Sequence, residues 1–271
     1  NVTVTSVGDN YVVTPASGTP QEAVATDVTS FVVNAITMTG DASVLDGETI
    51  TGTGNVAITN LDGDAAADLS LMTVTGTRTA TVSDDVTFTG NLGTFTTTVN
   101  SGKTLTGDVA VLQGETINGA GTTAITDLDT DLDADLSSIT STSVTATFND
   151  DGTFTGNLGT AAVTVASGKT MTAATSVVAG KNIDGAGSLT ITGGATADAN
   201  LTDIDVTGTL AFDSNTIAIT AAKTLTLDAV QASKATSGIS GDGNLTITDD
   251  GGAADSTIVS TVSDTGVKTI D

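Results

Sequence analysis

The sequence predicts an all-β protein, a parallel β-solenoid built from repeats of about 66 residues with almost no helix. Three observations predict it: a long stretch that recurs nearly unchanged, a composition rich in Gly, and short strand-like runs bounded by turn residues. Aromatic residues make up 3% of the 271 residues, and there is no Trp. Large cores usually rely on aromatic side chains, so the composition favours narrow stacked sheets of small β-branched residues.

Two stretches define the repeat. Residues 87–104 read TFTGNLGTFTTTVNSGKT and residues 153–170 read TFTGNLGTAAVTVASGKT, identical at 14 of 18 positions. Successive copies open with VLDGETITGTG at Val44, VLQGETINGAG at Val111 and VVAGKNIDGAG at Val177. A fourth, KATSGISGDGNLTIT, starts at Lys234. The spacing shortens by about 11 residues before the fourth copy, and TGNLG is lost from the third copy. We expect smaller units of about 11 or 22 residues within the period.

The predicted organisation has three parts. Residues 1–42 form an N-terminal β cap or docking segment, or alternatively a degenerate first repeat; they contain both prolines and the only Tyr. Residues 43–252 form the solenoid and 253–271 a C-terminal strand or cap. The solenoid repeats lie at about 43–110, 111–176, 177–233 and 234–252. Tandem β-sandwiches are the alternative architecture, but they need about 100 residues per unit and usually an aromatic anchor.

Composition excludes several functions. The net charge is −25 and only seven residues are Lys or Arg, so no basic patch for nucleic acid or an anionic membrane is expected. There is no His and no Cys, which removes Ser-His and Cys-His catalysis. A glycosidase carboxylate pair would interrupt the repeat, whereas these acids recur with it, so we expect no enzyme. No apolar run reaches the ~20 residues of a membrane span.

The sharpest local feature is the acidic run DLDTDLDADL at residues 127–136. In an extended strand it would place five carboxylates on one face, with Leu128 and Leu132 on the other. Ca²⁺ takes six to eight oxygen ligands and would offset their repulsion. A weaker version occurs in the first copy. The predicted structural Ca²⁺ ligands are Asp127, Asp129, Asp131, Asp133, Asp135, Asp62, Asp64 and Asp68. The alternative is a solvated acidic loop, because neither an EF-hand nor an RTX nonapeptide is present.

The recurring SGKT element suggests a phosphate loop, but the Walker pattern needs a second Gly before Lys and a following helix. Lys103 and Lys169 are therefore expected to pair with a neighbouring Asp. The Thr-x-Thr elements at residues 73–75, 87–89 and 153–155 suggest an ice-binding ladder. They do not recur at one short spacing, as a single flat face would require, and the β-propensity of Thr explains them.

The combination of GETITGTG, ADLS, TFTGNLGT and SGKT over residues 43–250 resembles the Thr-, Gly- and Asp-rich β-strand repeat proteins of bacterial surfaces. These include giant adhesins, haemagglutinin-like β-solenoids and S-layer-like proteins. The resemblance implies secretion, an extracellular structural or adhesive role and frequent use of Ca²⁺. It transfers no catalytic residue, and a cell-wall sorting signal is missing. The chain begins at Asn1 without a leader, so we expect a mature chain or an excised fragment.

The expected function is a structural subunit of a self-assembling fibre, surface layer or stalk, which makes the chain a homo-oligomer or homopolymer. Solenoid ends pair with other copies unless they are capped, and a contact that does not close produces a filament. The N-terminal segment and the runs Thr257–Val262 and Val267–Ile270 are the predicted docking ends. The alternative is a repeat segment of a secreted adhesin that binds carbohydrate, such as a cell-surface polysaccharide.

Overall fold

The predicted all-β class is confirmed. A computed structural model of the chain describes residues 2–7, 10–15, 21–23, 30–213, 217–234, 239–248 and 268–270. Strands account for 46% and helices for 10% of the structure. Contacts divide the chain into two compact units, Asn1–Thr126 with Leu136–Val144, and Asp127–Asp135 with Thr145–Asp271.

The described residues of the first unit form thirteen short strands and three helical turns. The strands are β1 (Val2–Val7), β2 (Asn10–Pro15), β3 (Gln21–Ala23), β4 (Ser30–Val32), β5 (Thr37–Gly40), β6 (Thr49–Thr51), β7 (Asn55–Ile58), β8 (Arg78–Val82), β9 (Val86–Phe88), β10 (Thr96–Val99), β11 (Thr104–Asp108), β12 (Thr116–Gly119) and β13 (Thr122–Thr126). The helical turns are α1 (Ala42–Leu45), a 3-10 turn (Leu61–Gly63) and α2 (Val109–Leu112).

Parallel pairing dominates this unit. The largest sheet has the order β12-β10-β8-β7-β5-β1-β2-β3, and only the β1–β2 and β2–β3 pairs are antiparallel. Two further groups are β9-β11-β13 and β4-β6. From β4 onward, paired residues lie about 20 positions apart in sequence; Thr79, for example, pairs with Ala57 and Thr96. The chain therefore returns to the same sheet after each circuit of about 20 residues.

The second unit repeats this pattern. Its strands are β14 (Ser143–Phe148, of which Thr145–Phe148 belong here), β15 (Gly152–Phe154), β16 (Ala162–Val165), β17 (Thr170–Ala174), β18 (Ile183–Gly185), β19 (Ser188–Thr192), β20 (Ala199–Asn200), β21 (Ile204–Val206), β22 (Leu210–Phe212), β23 (Ile217–Ala218), β24 (Thr224–Asp228), β25 (Ile239–Ser240), β26 (Asn244–Thr248) and β27 (Lys268–Ile270). The helical turns are a 3-10 turn (Leu128–Thr130), α3 (Thr175–Val178) and α4 (Ala229–Lys234).

Every described strand pair of the second unit is parallel. The groups are β14-β16-β18-β21, β15-β17-β19-β22, β20-β24-β26-β27 and β23-β25. The strand-like run that we predicted at Val267–Ile270 corresponds to β27. The other predicted C-terminal run, Thr257–Val262, lies outside the described residues.

Alternation of buried and outward residues explains why these stretches form strands. In β13, β17 and β19 every second residue is buried. At some buried positions identical residues stack, as in the pair Leu225 and Leu245 and the bridge between Ile117 and Ile139. Four of the aromatic side chains, Phe88, Phe95, Phe148 and Phe154, are fully buried in the core. Complete burial of one Val, Leu, Ile or Phe side chain contributes roughly 1.5–3 kcal/mol to the stability of the fold. Aligned rows of aliphatic residues can therefore replace a conventional aromatic core.

Stretches that are similar in sequence pair in the same way. The sequence offset between paired residues is the same for β8 with β10 (Thr79 with Thr96) as for β14 with β16 (Thr145 with Ala162). The pairs β5–β7, β11–β13 and β17–β19 share a second common offset, which is slightly longer. Equivalent turn lengths therefore produce equivalent registers in successive sequence copies.

The third copy compensates for its missing stretch. In the first two copies the strands that directly precede TGNLG, β9 and β15, pair with β11 and β17. In the third copy the upstream strand β20 pairs with β24 instead, with Ala199 opposite Leu225. The Asp198 carboxylate also accepts a hydrogen bond from the Thr224 N–H at 2.8 Å, as Asp151 does from the Thr170 N–H. The shorter third copy therefore lacks one strand, and the earlier strand β20 takes its place beside β24.

Candidate functional site

The acidic run at residues 127–135 is not an extended strand. Strand β13 ends at Thr126, and Asp127 takes a left-handed conformation with φ of 53°. The following 3-10 turn buries Leu128 completely. Left-handed backbone at Asp127 redirects the chain so that this leucine reaches the core, which overrides the alternation that the sequence suggested. The expected row of five carboxylates on one face is therefore wrong.

Asp127 and Asp129 hydrogen-bond to a residue about 20 positions later in the chain. The Asp127 carboxylate accepts from the Asn149 side-chain amide at 2.8 Å, and the Asp129 carboxylate accepts from the Asn149 backbone N–H. Hydrogen bonds to an ionised acceptor are stronger than neutral ones. These two acids therefore fasten one turn of the chain to the turn that follows β14.

The other three acids of the run have different surroundings. Asp131 and Asp133 share a side-chain hydrogen bond, and this contact raises the pKa of Asp131. Asp135 forms an isolated parallel bridge with Asn157. Within the described ranges, no three Asp or Glu side chains converge as a metal-ligand group. Ca²⁺ binding along this edge stays a prediction.

The acids of the first copy also serve turns. The Asp62 carboxylate accepts from the Ser83 N–H at 2.6 Å, the counterpart of the Asp129 contact. The Asp64 carboxylate accepts from the Ala66 N–H at 3.0 Å. The Asp68 carboxylate accepts from the Ser70 N–H at 3.0 Å, and hydrogen bonding by Ser70 lowers the Asp68 pKa. Each predicted ligand of the first copy therefore has a protein donor.

The SGKT lysines lie in two equivalent charge clusters. Lys103 forms an ion pair with Asp84, and Lys169 forms one with Asp150. The pKa of Lys103 is raised by the hydrogen bond with Asp84 and by the charges of Asp84, Asp85 and Asp62. The predicted pairing of this lysine with an Asp is confirmed. Strand β11 follows the turn directly, so the helix that a phosphate loop needs is replaced by a strand.

Sequence reasoning missed a set of side-chain oxygens that join successive turns. Asn55 Oδ1 accepts from the Thr77 N–H at 2.8 Å, and Ser188 Oγ accepts from the Thr209 N–H at 3.0 Å. Asp46 Oδ1 accepts from the Asp68 N–H at 2.7 Å. The donors lie 21 or 22 residues after the acceptors in these pairs. These acceptors and donors could have been paired from the sequence only if the number of residues per circuit had been known.

Gln231 was also missed. Its side chain is 2% exposed, and its amide donates to the backbone carbonyls of Leu201 and Ile204. Earlier copies have Val111 and Val177 at this position, so a polar residue at a valine position was the available signal. Gln231 lies beside a cleft of about 290 Å³. Its amide is used by the fold, and small-molecule sites need free polar groups that converge.

Comparison of the chain with protein-family models, with curated proteins and with solved structures gave no match. Among the residues that the structure describes, no helix is long and apolar enough to cross a membrane. The site consists of recurring turn contacts, and its chemistry is hydrogen bonding and ion pairing between successive turns.

Proposed function

We propose that the chain is an extracellular structural protein built as a parallel β-solenoid of about 66-residue repeats. One observation supports this most: similar sequence stretches form the same strand pairs with the same offset in successive copies. The acids and lysines recur with the repeat as turn contacts, which fits a structural role that needs no catalysis. The resemblance to bacterial surface repeat proteins supports secretion and a cell-surface location.

The coil of this solenoid takes about 20 residues, the typical offset between paired strands. A repeat of about 66 residues then spans three coils and one further strand position. Equivalent strands of successive copies should therefore fall on different sheets. Within the first unit, β7 belongs to the eight-stranded sheet while its second-copy equivalent β13 pairs with β11, which supports this arrangement.

Assembly would use the ends of the sheets. Strands that end a sheet present unpaired backbone groups, which recruit another chain unless they are covered. Strands β3 and β27 end their sheets in the described residues. A head-to-tail contact between such ends does not close and gives a fibre or layer of identical subunits. The chain would thus be a subunit of a surface fibre, S-layer or stalk.

Electron microscopy of the purified chain over a range of concentrations tests this function. Ordered polymers or sheets with one constant subunit repeat are expected. Strictly monomeric particles at every concentration would contradict the proposal and favour the alternative, an adhesin segment that binds carbohydrate. Dilution followed by re-imaging separates specific assembly from irreversible aggregation, because a specific polymer shortens in a concentration-dependent way.

Structural Ca²⁺ along the acidic edge is part of the proposal. The Asp131–Asp133 contact brings two carboxyl oxygens together, and Ca²⁺ prefers such ligands. A cation that binds only the folded chain raises its melting temperature. The melting temperature should therefore fall when a chelator is added, and Asp131→Asn should reduce the difference. Equal melting temperatures with and without chelator would remove Ca²⁺ from the account.

A further inference from the structure

The eight-stranded sheet of the first unit carries a regular array of outward threonines. The residues between them, such as Ala80, Thr97 and Ile117, are buried, so the array faces away from the core. One row crosses five strands, from β5 to β12. Its members, in register, are Thr39, Ala57, Thr79, Thr96 and Thr116. A second row, two residues along the strands, consists of Thr81, Thr98 and Asn118.

The geometry of a parallel sheet fixes the spacing of this array. Adjacent strands lie about 4.8 Å apart, and residues two positions apart along a strand are separated by about 6.6 Å. Each threonine supplies one hydroxyl and one methyl group at such a point, and β-branching restricts its χ1 rotamers. The Thr98 hydroxyl donates to Asn118 Oδ1 at 3.0 Å, which links neighbouring points of the second row. The result is a two-dimensional grid of oriented hydroxyls.

The register removes the objection that the sequence raised against a flat threonine face. The sequence separation between neighbouring members of the first row differs from one pair to the next, so no constant spacing is visible in the sequence. Turns of different length absorb these differences, and the strands still stack in register. The triplets at 73–75 and 87–89 that first suggested such a face are not members of the array.

The chemistry of the array selects a neutral, ordered partner. None of its eight positions is charged, although the chain has a net charge of −25. A charged side chain would organise water around itself, whereas hydroxyl and methyl groups leave a lattice of water molecules continuous across the face. Sugar rings usually stack on exposed aromatic side chains, and the array contains none. Its repeat in two directions matches a partner that is itself periodic.

We propose that this face binds ice. The hydroxyls of Thr79, Thr96 and Thr116 would hydrogen-bond to water molecules at lattice positions, and the methyl groups would fill the gaps between them. This inference goes beyond the proposed structural function and does not depend on assembly. A surface fibre with such a face would attach its owner to ice or restrain the growth of nearby crystals.

Partitioning into slowly growing ice and inhibition of ice recrystallisation test the proposal. The unmodified chain should be enriched in the ice fraction and should slow recrystallisation. Thr79→Lys and Thr96→Lys should each raise the concentration needed to slow recrystallisation more than tenfold, because a charged side chain breaks the lattice contact. Thr160→Lys is the matched control, since Thr160 is an exposed turn residue outside the array. It should behave like the unmodified chain.

Folding is checked for every variant by circular dichroism and melting. Thr79→Gln, which adds no charge at an exposed position, provides a second variant and should also reduce activity. Exclusion of the unmodified chain from ice would overturn the proposal, and so would equal losses in Thr96→Lys and Thr160→Lys. Thr79- and Thr96-dependent binding to insoluble cellulose or chitin without any effect on ice would instead assign the face to a polysaccharide.

Discussion

At the residue scale, Thr97 is a core position at which the first and second copies carry different residues. Its side chain is fully buried between Ala80 and Ile117, and its hydroxyl has no hydrogen-bond partner among the described residues. The equivalent residue in the second copy is Val163, which is also fully buried. The threonine-rich composition therefore extends into a core position that is better suited to valine.

Replacing Thr97 by Val should stabilise the chain. The substitution removes a buried hydroxyl without a partner and keeps the side-chain shape, so the free energy of unfolding should rise by about 1 kcal/mol. Chemical denaturation measures the change. Thr96→Val is the control on the same strand, because Thr96 faces outward and should change stability by less than about 0.5 kcal/mol. Equal effects of the two substitutions would contradict the assignment of Thr97 to the core.

Glu115 gives a prediction for pH. Burial raises the pKa of Glu115 above its ordinary value of 4.5. The folded chain therefore binds this proton more tightly than the unfolded chain, so its stabilising contribution is full below pH 4.5 and is lost as pH rises through the raised pKa. Glu115→Gln should thus stabilise the chain at pH 7, by less than about 1 kcal/mol because the group is partly exposed and screened. At pH 4 the gain should disappear.

The third copy suggests a stronger replacement for Glu115. Lys181 occupies the equivalent position, and its ammonium group donates to the Gly159 carbonyl. Gly93 is the counterpart of Gly159, so Glu115→Lys should gain that contact and be at least as stable as Glu115→Gln at pH 7. Melting curves of the two variants at pH 4 and pH 7 make the comparison. A gain that does not change with pH would contradict the explanation from burial.

At the element scale, the recurring Gly-x-Gly motif sets how closely successive strands approach. Gly119, Gly185 and Gly241 have φ of 113°, 112° and 107°. At each of them a Cβ atom would lie 2.3 Å from a backbone oxygen of the previous strand position. Only glycine fits such a contact. The motif that opens each copy is therefore a packing requirement and needs no ligand to explain it.

Substitution of Gly119 should be far more costly than substitution of a nearby turn glycine. Gly119→Ala would bring its Cβ to 2.3 Å from the Val99 carbonyl oxygen, so unfolding should become easier by more than about 2 kcal/mol. Gly114 also has a positive φ, but nothing lies within 4 Å of its would-be Cβ. Gly114→Ala should therefore cost about 1 kcal/mol from backbone strain alone. Similar losses in both variants would show that strand contact is not what the motif protects.

The elements also show what could be predicted from the sequence. Strand positions followed from alternation and from turn residues, and the SGKT turn with its Lys103–Asp84 ion pair was confirmed. The acidic run was mispredicted because burial of Leu128 determines its backbone conformation. The alternation of residue types does not show that burying one leucine outweighs keeping five acids on one face. The pairing register of the strands could not be predicted either. Many strands have similar sequences, and the lengths of the turns between them determine which strands pair.

At the scale of the whole molecule, the circuit that returns the chain to the same sheet after about 20 residues underlies both its packing and its turn contacts. This circuit places similar side chains on top of each other, aligns the Thr79 and Thr96 row and brings Asp129 to Asn149. It also explains the third copy, where β20 replaces a missing strand and the stack continues to β24. The proposed solenoid, its assembly and its ice-binding face all require this register.

Disulfide cross-linking between introduced cysteines measures the register directly, because the native chain contains no Cys. Thr81 and Thr98 are register partners on β8 and β10. Their Cα atoms should lie about 4.8 Å apart, within disulfide range. The Thr81→Cys, Thr98→Cys variant should therefore cross-link under mild oxidation. The Thr79→Cys, Thr98→Cys variant, with Cα atoms about 8 Å apart, should not. Efficient cross-linking of the second variant, or none in the first, would contradict the parallel register on which the account rests.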